Sequence, residues 1–407
     1  MEMEMCGLYA PVVTGLSAQQ PSLPLKSTSH PADILLRSTR VCALMNLSSP
    51  LAPMKVLIVD DSAFMRNALS RMVASDDSLC VVGTAENGLE ALAKIGALQP
   101  DVVTLDLDMP GLDGLETLKR IMSESPLPVI VVSALVRRGA EDTIQAFALG
   151  AFDCIAKQLS YDYAGVLKIQ DELIAKIKAA AGCRVPAPRF SSALDGPPLG
   201  LFPASAATVP KIVAIGTSTG GPTALQDVLS ALPANLPVPI VVVQHIPVGF
   251  IGPFAKRLND LCLLKVREAE DNDHIRAGNV YLAPAGTHLT VQRRSSTDVV
   301  VRLSLLPNDL PHTPSVDVMM SSVAEVFGSS AMGIIMTGMG DDGACGMQAI
   351  FQRGGFTLGQ NQATCVVYGM PRACADLGVL NQVVPLPEIP QQILAALHHR
   401  TRAAAAP

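Results

Sequence analysis

Two groups of residues in this chain have the types and spacing to do chemistry. The first stands at the ends of short apolar runs: Asp60 and Asp61 after KVLIV, Asp106 closing DVVTLD, Ser133 closing PVIVVS and Lys157 closing FDCIAK. Crowded carboxylates repel one another unless a cation lies among them, and a few carboxylates with open positions suit Mg²⁺. Such an ion beside Asp106 would favour phosphoryl transfer onto that carboxylate, with Ser133 and Lys157 placed to contact the phosphoryl oxygens. Strand-end aspartates also serve as helix N-caps, an alternative that remains open for Asp61 taken alone.

The second group centres on Ser218 in IVAIGTSTGGPTALQ, where Gly216, Ser218 and Gly220 satisfy Gly-x-Ser-x-Gly between an apolar strand and an amphipathic helix. That context holds a serine hydroxyl at the top of a sheet, beside a helix N-terminus able to favour an oxyanion. A phosphate cradle and a plain tight turn are the competing readings, although the Walker lysine and the dinucleotide glycine spacing are both missing. The next apolar run, PIVVVQ, ends in His245, and GIIMTGMGDDG carries Asp341 and Asp342 just past a further run. Serine, histidine and a carboxylate from three strand ends make a nucleophile, a base and an orienting acid. Their chain order, Ser then His then Asp, is not that of α/β-hydrolases, chymotrypsin or subtilisin.

The elements that must position these residues follow from the apolar pattern. From Met54 onward short apolar runs alternate with amphipathic stretches, which predicts α/β architecture with two doubly wound parallel-sheet domains. A flavodoxin-like domain is expected over 54–175, a proline-rich linker over 176–210, and a Rossmann-like α/β domain with some antiparallel strands over 211–402. Residues 403–407 form a tail. Residues 1–53, rich in Ser, Pro and Leu and without sustained periodicity, are expected to be a disordered extension or an addition ahead of a natural start at Met54.

Composition narrows the function. With 49% hydrophobic and 16% charged residues the chain can build real cores. A formal charge of −6 with no Lys/Arg block argues against a nucleic-acid partner. Nine cysteines without zinc-type spacing fit free thiols in a reducing compartment. No apolar run approaches the roughly 20 residues that span a bilayer, and Glu2 and Glu4 stand where an export signal would be basic, so a cytoplasmic protein is expected.

The acidic constellation, in order over residues 54 to about 175, resembles the receiver domain of two-component response regulators. The resemblance implies Asp106 as phosphoacceptor, Asp60 and Asp61 as metal carboxylates, Asp108 as a backbone-carbonyl ligand, Ser133 and Lys157 as phosphate sensors, and a histidine kinase as phosphodonor. The chain departs from the pattern at Gln158, where proline usually follows the lysine, and at Cys154, where an aromatic residue often stands.

IGTSTGGPTAL, VVVQHIP, FAKRLN, VYLAPAGTHL, PSVDVMM and TGMGDDGACGM together resemble the catalytic domain of chemotaxis protein-glutamate methylesterases. This implies Ser218 as nucleophile, His245 as general base and Asp342 as orienting carboxylate, with Asp341 standing where Asn is common. Thr219 and the Met339 backbone N–H are expected near the oxyanion, and His312 in the substrate groove or in a structural role. The implied substrates are methyl esters, and also glutamines, on chemotaxis receptors, hydrolysed without a cofactor under control of the receiver. A non-catalytic regulator whose second domain binds a partner protein is the alternative.

Overall fold

The computed structural model describes residues 52–133, 137–157, 163–181 and 208–398. The expected N-terminal extension, the C-terminal tail, Gln158 and most of the expected linker lie outside them.

The first sheet is built from β1 (Met54–Val59), β2 (Leu79–Ala85), β3 (Val102–Asp106), β4 (Val129–Ser133) and β5 (Asp153–Ala156). All pairings are parallel, in the order β2-β1-β3-β4-β5. Strands covered on both faces must be apolar on both sides, which is why these runs do not alternate. Val56, Leu57, Ile58, Val103 and Leu105 are fully buried, each contributing about 1.5–3 kcal/mol relative to exposure.

Helices α1 (Ala63–Val73), α2 (Gly88–Leu98), α3 (Gly114–Glu124), α4 (Arg137–Ala148) and α5 (Tyr163–Ala181) accompany the sheet. Three begin at side-chain caps: Ser62 accepts from Met65 N at 3.4 Å, Asn87 from Glu90 N at 3.0 Å and Asp113 from Glu116 N at 2.8 Å. Helix α5 continues beyond residue 175, where the linker was expected to start. Its buried stripe Leu173, Ile177 and Ala180 recurs at helical spacing and packs on the core of the first domain, so the helix has reason to continue.

The second sheet contains β6 (Ile212–Thr217), β7 (Ile240–Gln244), β8 (Lys265–Glu268), β9 (Asn279–Leu282), β12 (Ala331–Ile335), β13 (Phe356–Gln360) and β14 (Gln382–Val384). Its order is β14-β13-β12-β6-β7-β9-β8, parallel throughout. Antiparallel pairing occurs in a separate hairpin of β10 (His288–Arg293) and β11 (Val299–Ser304), which an isolated antiparallel bridge joins to His274. The helices are α6 (Gly221–Ser230), α7 (Ile251–Leu261), α8 (Val316–Phe327), α9 (Ala344–Gln352), α10 (Met370–Asp376) and α11 (Ile389–His398).

Strand β6 comes first in its sheet along the chain but lies in the middle. The chain builds one side through β7, β9 and β8, then returns to build the other through β12, β13 and β14. The crevice at such a switch point is where open parallel sheets hold their ligands. The same holds for β1 between β2 and β3 in the first sheet.

Among the described residues no helix is long and apolar enough to cross a membrane. The described cysteines, Cys80, Cys154, Cys262, Cys345, Cys365 and Cys374, are all free thiols.

Candidate active site and phosphoacceptor pocket

Ser218 and His245 leave the second sheet side by side, because Thr217 and Gln244, the residues before them, are register partners in β6 and β7. His245 N donates to Thr217 O at 3.1 Å, and Gln244 Nε2 donates to Ser218 O at 2.9 Å and His245 O at 2.8 Å. The buried Gln244 amide therefore fastens both strand ends to each other. The turn after Ser218 admits no side chain at Gly221, where a Cβ would lie 2.0 Å from Gln244 Oε1. Gly220 has φ +77°, a left-handed conformation that glycine adopts without strain.

On the other flank, β12 leads into the turn with Asp342. Ser218 N donates to Thr337 O at 3.0 Å, and Thr337 Oγ1 donates to Thr219 O at 2.9 Å. Thr217 Oγ1 also donates to Thr337 O, at 2.7 Å, and Gln360 Oε1 accepts from Thr337 N at 2.8 Å. These hydroxyls and amides satisfy backbone groups that burial would otherwise leave unpaired.

His245 Nε2 and Asp342 Oδ2 are 2.8 Å apart. A carboxylate can only accept here, so the neutral imidazole carries its proton on Nε2 and offers the lone pair of Nδ1. Nδ1 is buried and has no hydrogen-bond partner among the described residues. Burial alone would raise the Asp342 pKa, but His245 and the N–H groups of Asp317 and Val316 hold it down at about 2. Its other contacts are Ser315 Oγ at 2.8 Å, Val316 N at 2.8 Å and Asp317 N at 3.0 Å.

His312, exposed in the loop before α8, stacks its ring on that of His245, with centroids 4.2 Å apart and planes at 17°. This places it at the site. Asp341 is exposed and Asp342 is the acid that reaches the histidine. Neither Met339 N–H nor Thr219 N–H has a hydrogen-bond partner among the described residues.

The Thr219 side chain reaches the first domain. Its hydroxyl donates to Asp153 Oδ2, in β5 of the first sheet, at 2.6 Å, and both residues are buried. Sequence patterns within one domain do not encode what the other domain brings against it. Asp153 also pairs with Lys176 Nζ at 3.2 Å, and Lys176 reaches Glu172 at 2.8 Å and Cys154 O at 2.6 Å. Burial would lower the Lys176 pKa, yet Asp153 and Glu172 outweigh it and the net displacement is upward. Helix α4 packs on α6 and α7 in the same interface.

In the first sheet, Asp60, Asp61 and Asp106 converge with carboxylate oxygens all within 4.8 Å of one another. Lys157 Nζ lies 2.9 Å from Asp60 and 2.6 Å from Asp106. Burial raises the Asp106 pKa against the opposing pull of Lys157, whereas Lys157 is held above its ordinary value despite its own burial because both acids pair with it. Ser133 Oγ donates to Gly139 O at 3.1 Å. Asp108 is exposed, and its N–H donates to Asp106 Oδ1 at 3.2 Å.

Sequence reasoning reached the strand-end residues but not Gln244, Ser315, Asp317, Thr337 or Gln360. The only signal for these was the PSVDVMM segment, which carries Ser315 and Asp317.

The first domain's acidic pocket and the second domain's Ser, His and Asp at a switch point define a class, a receiver joined to an α/β domain of serine-hydrolase type. Comparison with known proteins agrees: residues 56–163 match the response regulator receiver domain family and residues 213–393 match the CheB methylesterase family. The chain belongs to the protein-glutamate methylesterase family of response regulators. A protein-glutamate methylesterase/protein-glutamine glutaminase of Oleidesulfovibrio alaskensis is 44% identical over 369 residues, covering 84% of this chain and 99% of the relative. One of Desulfitobacterium hafniense is 41% identical over 392 residues, covering 87% and 100% respectively. The crystal structure of the Thermotoga maritima CheB methylesterase catalytic domain is 38% identical, covering 46% of this chain and 98% of that one, with a TM-score of 0.45. These matches do not favour the alternative of a purely partner-binding output domain.

Proposed function

We propose that this protein hydrolyses glutamate methyl esters on chemotaxis receptors, releasing methanol, and deamidates receptor glutamines by the same route. The observation that carries the site assignment is the 2.8 Å pair of His245 Nε2 and Asp342, one strand end away from Ser218.

Ser218 Oγ attacks the ester carbonyl while its proton passes to His245 Nδ1, the ring nitrogen without a hydrogen bond. Asp342 holds the opposite nitrogen and stabilises the imidazolium that forms. The N–H groups of Met339 and Thr219 receive the oxyanion, each such donor contributing about 2.7–4 kcal/mol to the barrier reduction. Collapse expels methoxide, which leaves as methanol with the proton from His245. Water then attacks the acyl-enzyme, His245 takes one of its protons, and the receptor carboxylate departs as Ser218 regains its hydrogen. With a glutamine side chain the leaving group is ammonia.

The receiver spanning 54–175, with α5 extending past it, gates the domain spanning 211–402. Asp106 accepts a phosphoryl group from a histidine kinase. Asp60, Asp61 and Asp106 suit Mg²⁺ in their donor chemistry, since they offer clustered hard oxygens, and the carbonyl of Asp108 would be a further ligand. When bound, that ion neutralises charge on the phosphoryl oxygens. Ser133 and Lys157 contact those oxygens, which draws Lys157 from its present pairing and shifts the population away from the receiver-docked arrangement. A cytoplasmic location follows from receptor tips and kinase as partners.

The test is methanol release from methylated receptor membranes by the wild type and Ser218→Ala, with and without a small phosphodonor. Equal release by the two proteins would end the esterase reading, and a phosphodonor response that survives Asp106→Asn would end the gating reading.

A further inference from the structure

Two helices start beside His245, and each is capped by a carboxylate from the segment that begins the other. Asp342, just before α9, accepts from Ser315 Oγ, Val316 N and Asp317 N at the start of α8. Asp317, in the first turn of α8, accepts with Oδ1 from Gly343 N at 3.0 Å and Gly346 N at 2.6 Å at the start of α9. The exchange is reciprocal, so neither helix start can shift without pulling on the other.

This matters because glycines flank Asp342 in its turn. Gly340 and Gly343 both have positive φ, at 82° and 103°. A carboxylate that must stay 2.8 Å from a histidine therefore sits on a stretch of backbone with wide conformational freedom. Asp317 fastens the peptide N–H of the very next residue. It does so at an electrostatic cost: burial and the nearby charges of Asp342 and Asp341 push its pKa upward, against the N–H groups that it caps. Cys345 is a further titratable group close to it. Facing a helix N-terminus offsets part of that cost for each acid.

We propose that Asp317 is a positioning residue for the triad, holding Gly343 and hence Asp342 at the distance that His245 requires. The proposal rests on the assignment of Ser218, His245 and Asp342 given above. The Asp317 carboxylate bonds the start of α9 rather than Ser218 or His245, so its effect passes through Asp342.

The experiment is steady-state methanol release by the full-length protein with phosphodonor present. Asp317→Ala should lower kcat on the order of 10²-fold with KM nearly unchanged, the scale expected when a reacting group is misplaced by about 1 Å. Asp317→Asn keeps an acceptor oxygen for both N–H groups and should restore most of the rate. Asp317→Ala combined with Asp342→Ala should be no slower than Asp342→Ala alone, because the first residue acts only through the second. The acid limb of kcat should also move to lower pH in Asp317→Ala, since the imidazolium loses a fixed counter-charge. A double variant showing the full product of the two losses, or an Asn variant as slow as the Ala variant, overturns the proposal. If Asp317→Ala does not fold, Asp317→Glu takes its place: a longer stem should slow kcat alone, and wild-type kcat in both Glu and Asn variants overturns the proposal. Full activity of Asp342→Ala is a separate outcome, which removes the triad itself.

Discussion

The hydroxyl of Thr219, the residue after Ser218, is bonded at 2.6 Å to Asp153 in the last strand of the receiver. One buried carboxylate thus serves the ion pair with Lys176 inside the receiver and the contact that reaches the turn carrying Ser218. Thr219→Ala removes the contact and leaves Asp153 paired with Lys176. A hydrogen bond to a charged group contributes about 1.5–3 kcal/mol, so methanol release without phosphodonor should rise by roughly 10-fold or more. The phosphodonor response should shrink correspondingly, and an unchanged basal rate would mean that the contact does not restrain the enzyme.

Asp342 carries a stability signature with a definite sign. Its folded pKa of about 2 lies below the ordinary value of 3.8, so its contribution is fully present above pH 4 and is lost as pH falls through about 2. Asp342→Asn should therefore cost about 2 kcal/mol at pH 7, and the gap to wild type should close toward pH 2. Urea unfolding of both proteins at pH 7 and pH 3 measures this, and a gap that widens at the lower pH contradicts the assignment.

Chelation should separate the two sites. Excess EDTA should abolish activation by a phosphodonor, because it acts on the cluster of Asp60, Asp61 and Asp106, and should leave basal methanol release intact. Loss of the basal rate would show that ester hydrolysis itself needs a metal.

His312 stacks on His245 and should steady its ring. Aromatic pairs contribute about 0.5–1.5 kcal/mol, so His312→Ala should lower kcat by roughly 2–10-fold, while His312→Phe keeps a stacking face and most of the rate. An effect confined to KM would point to a contact with substrate instead.

Much of this arrangement was legible in the sequence because parallel sheets obey a simple rule: residues that end apolar runs meet at one edge. Asp60, Asp106, Ser218 and His245 stand at such ends, and Asp342 follows in the turn beyond β12. The clamps behind them were not legible. Thr217 Oγ1 reaches Thr337 O across 120 positions of chain, and nothing in the pattern around either threonine marks the pair. The bond from the Thr219 hydroxyl to Asp153 was not legible either, because the motif around Ser218 says nothing of the other domain. The ring nitrogen that faces Asp342 also depends on the approach of two loops, which spacing does not specify.

The central place of β6 has a consequence for how this enzyme can be divided. Ser218 and His245 belong to the stretch that builds one side of the sheet, Asp342 to the stretch that builds the other, and an exposed run, Leu305 to Asp309, joins the two. Neither half is a smaller enzyme. A break in that joining run leaves two fragments whose activity exists only along the seam where β6 meets β12, so the protein could be handled as a complementation pair that reports when its halves are brought together.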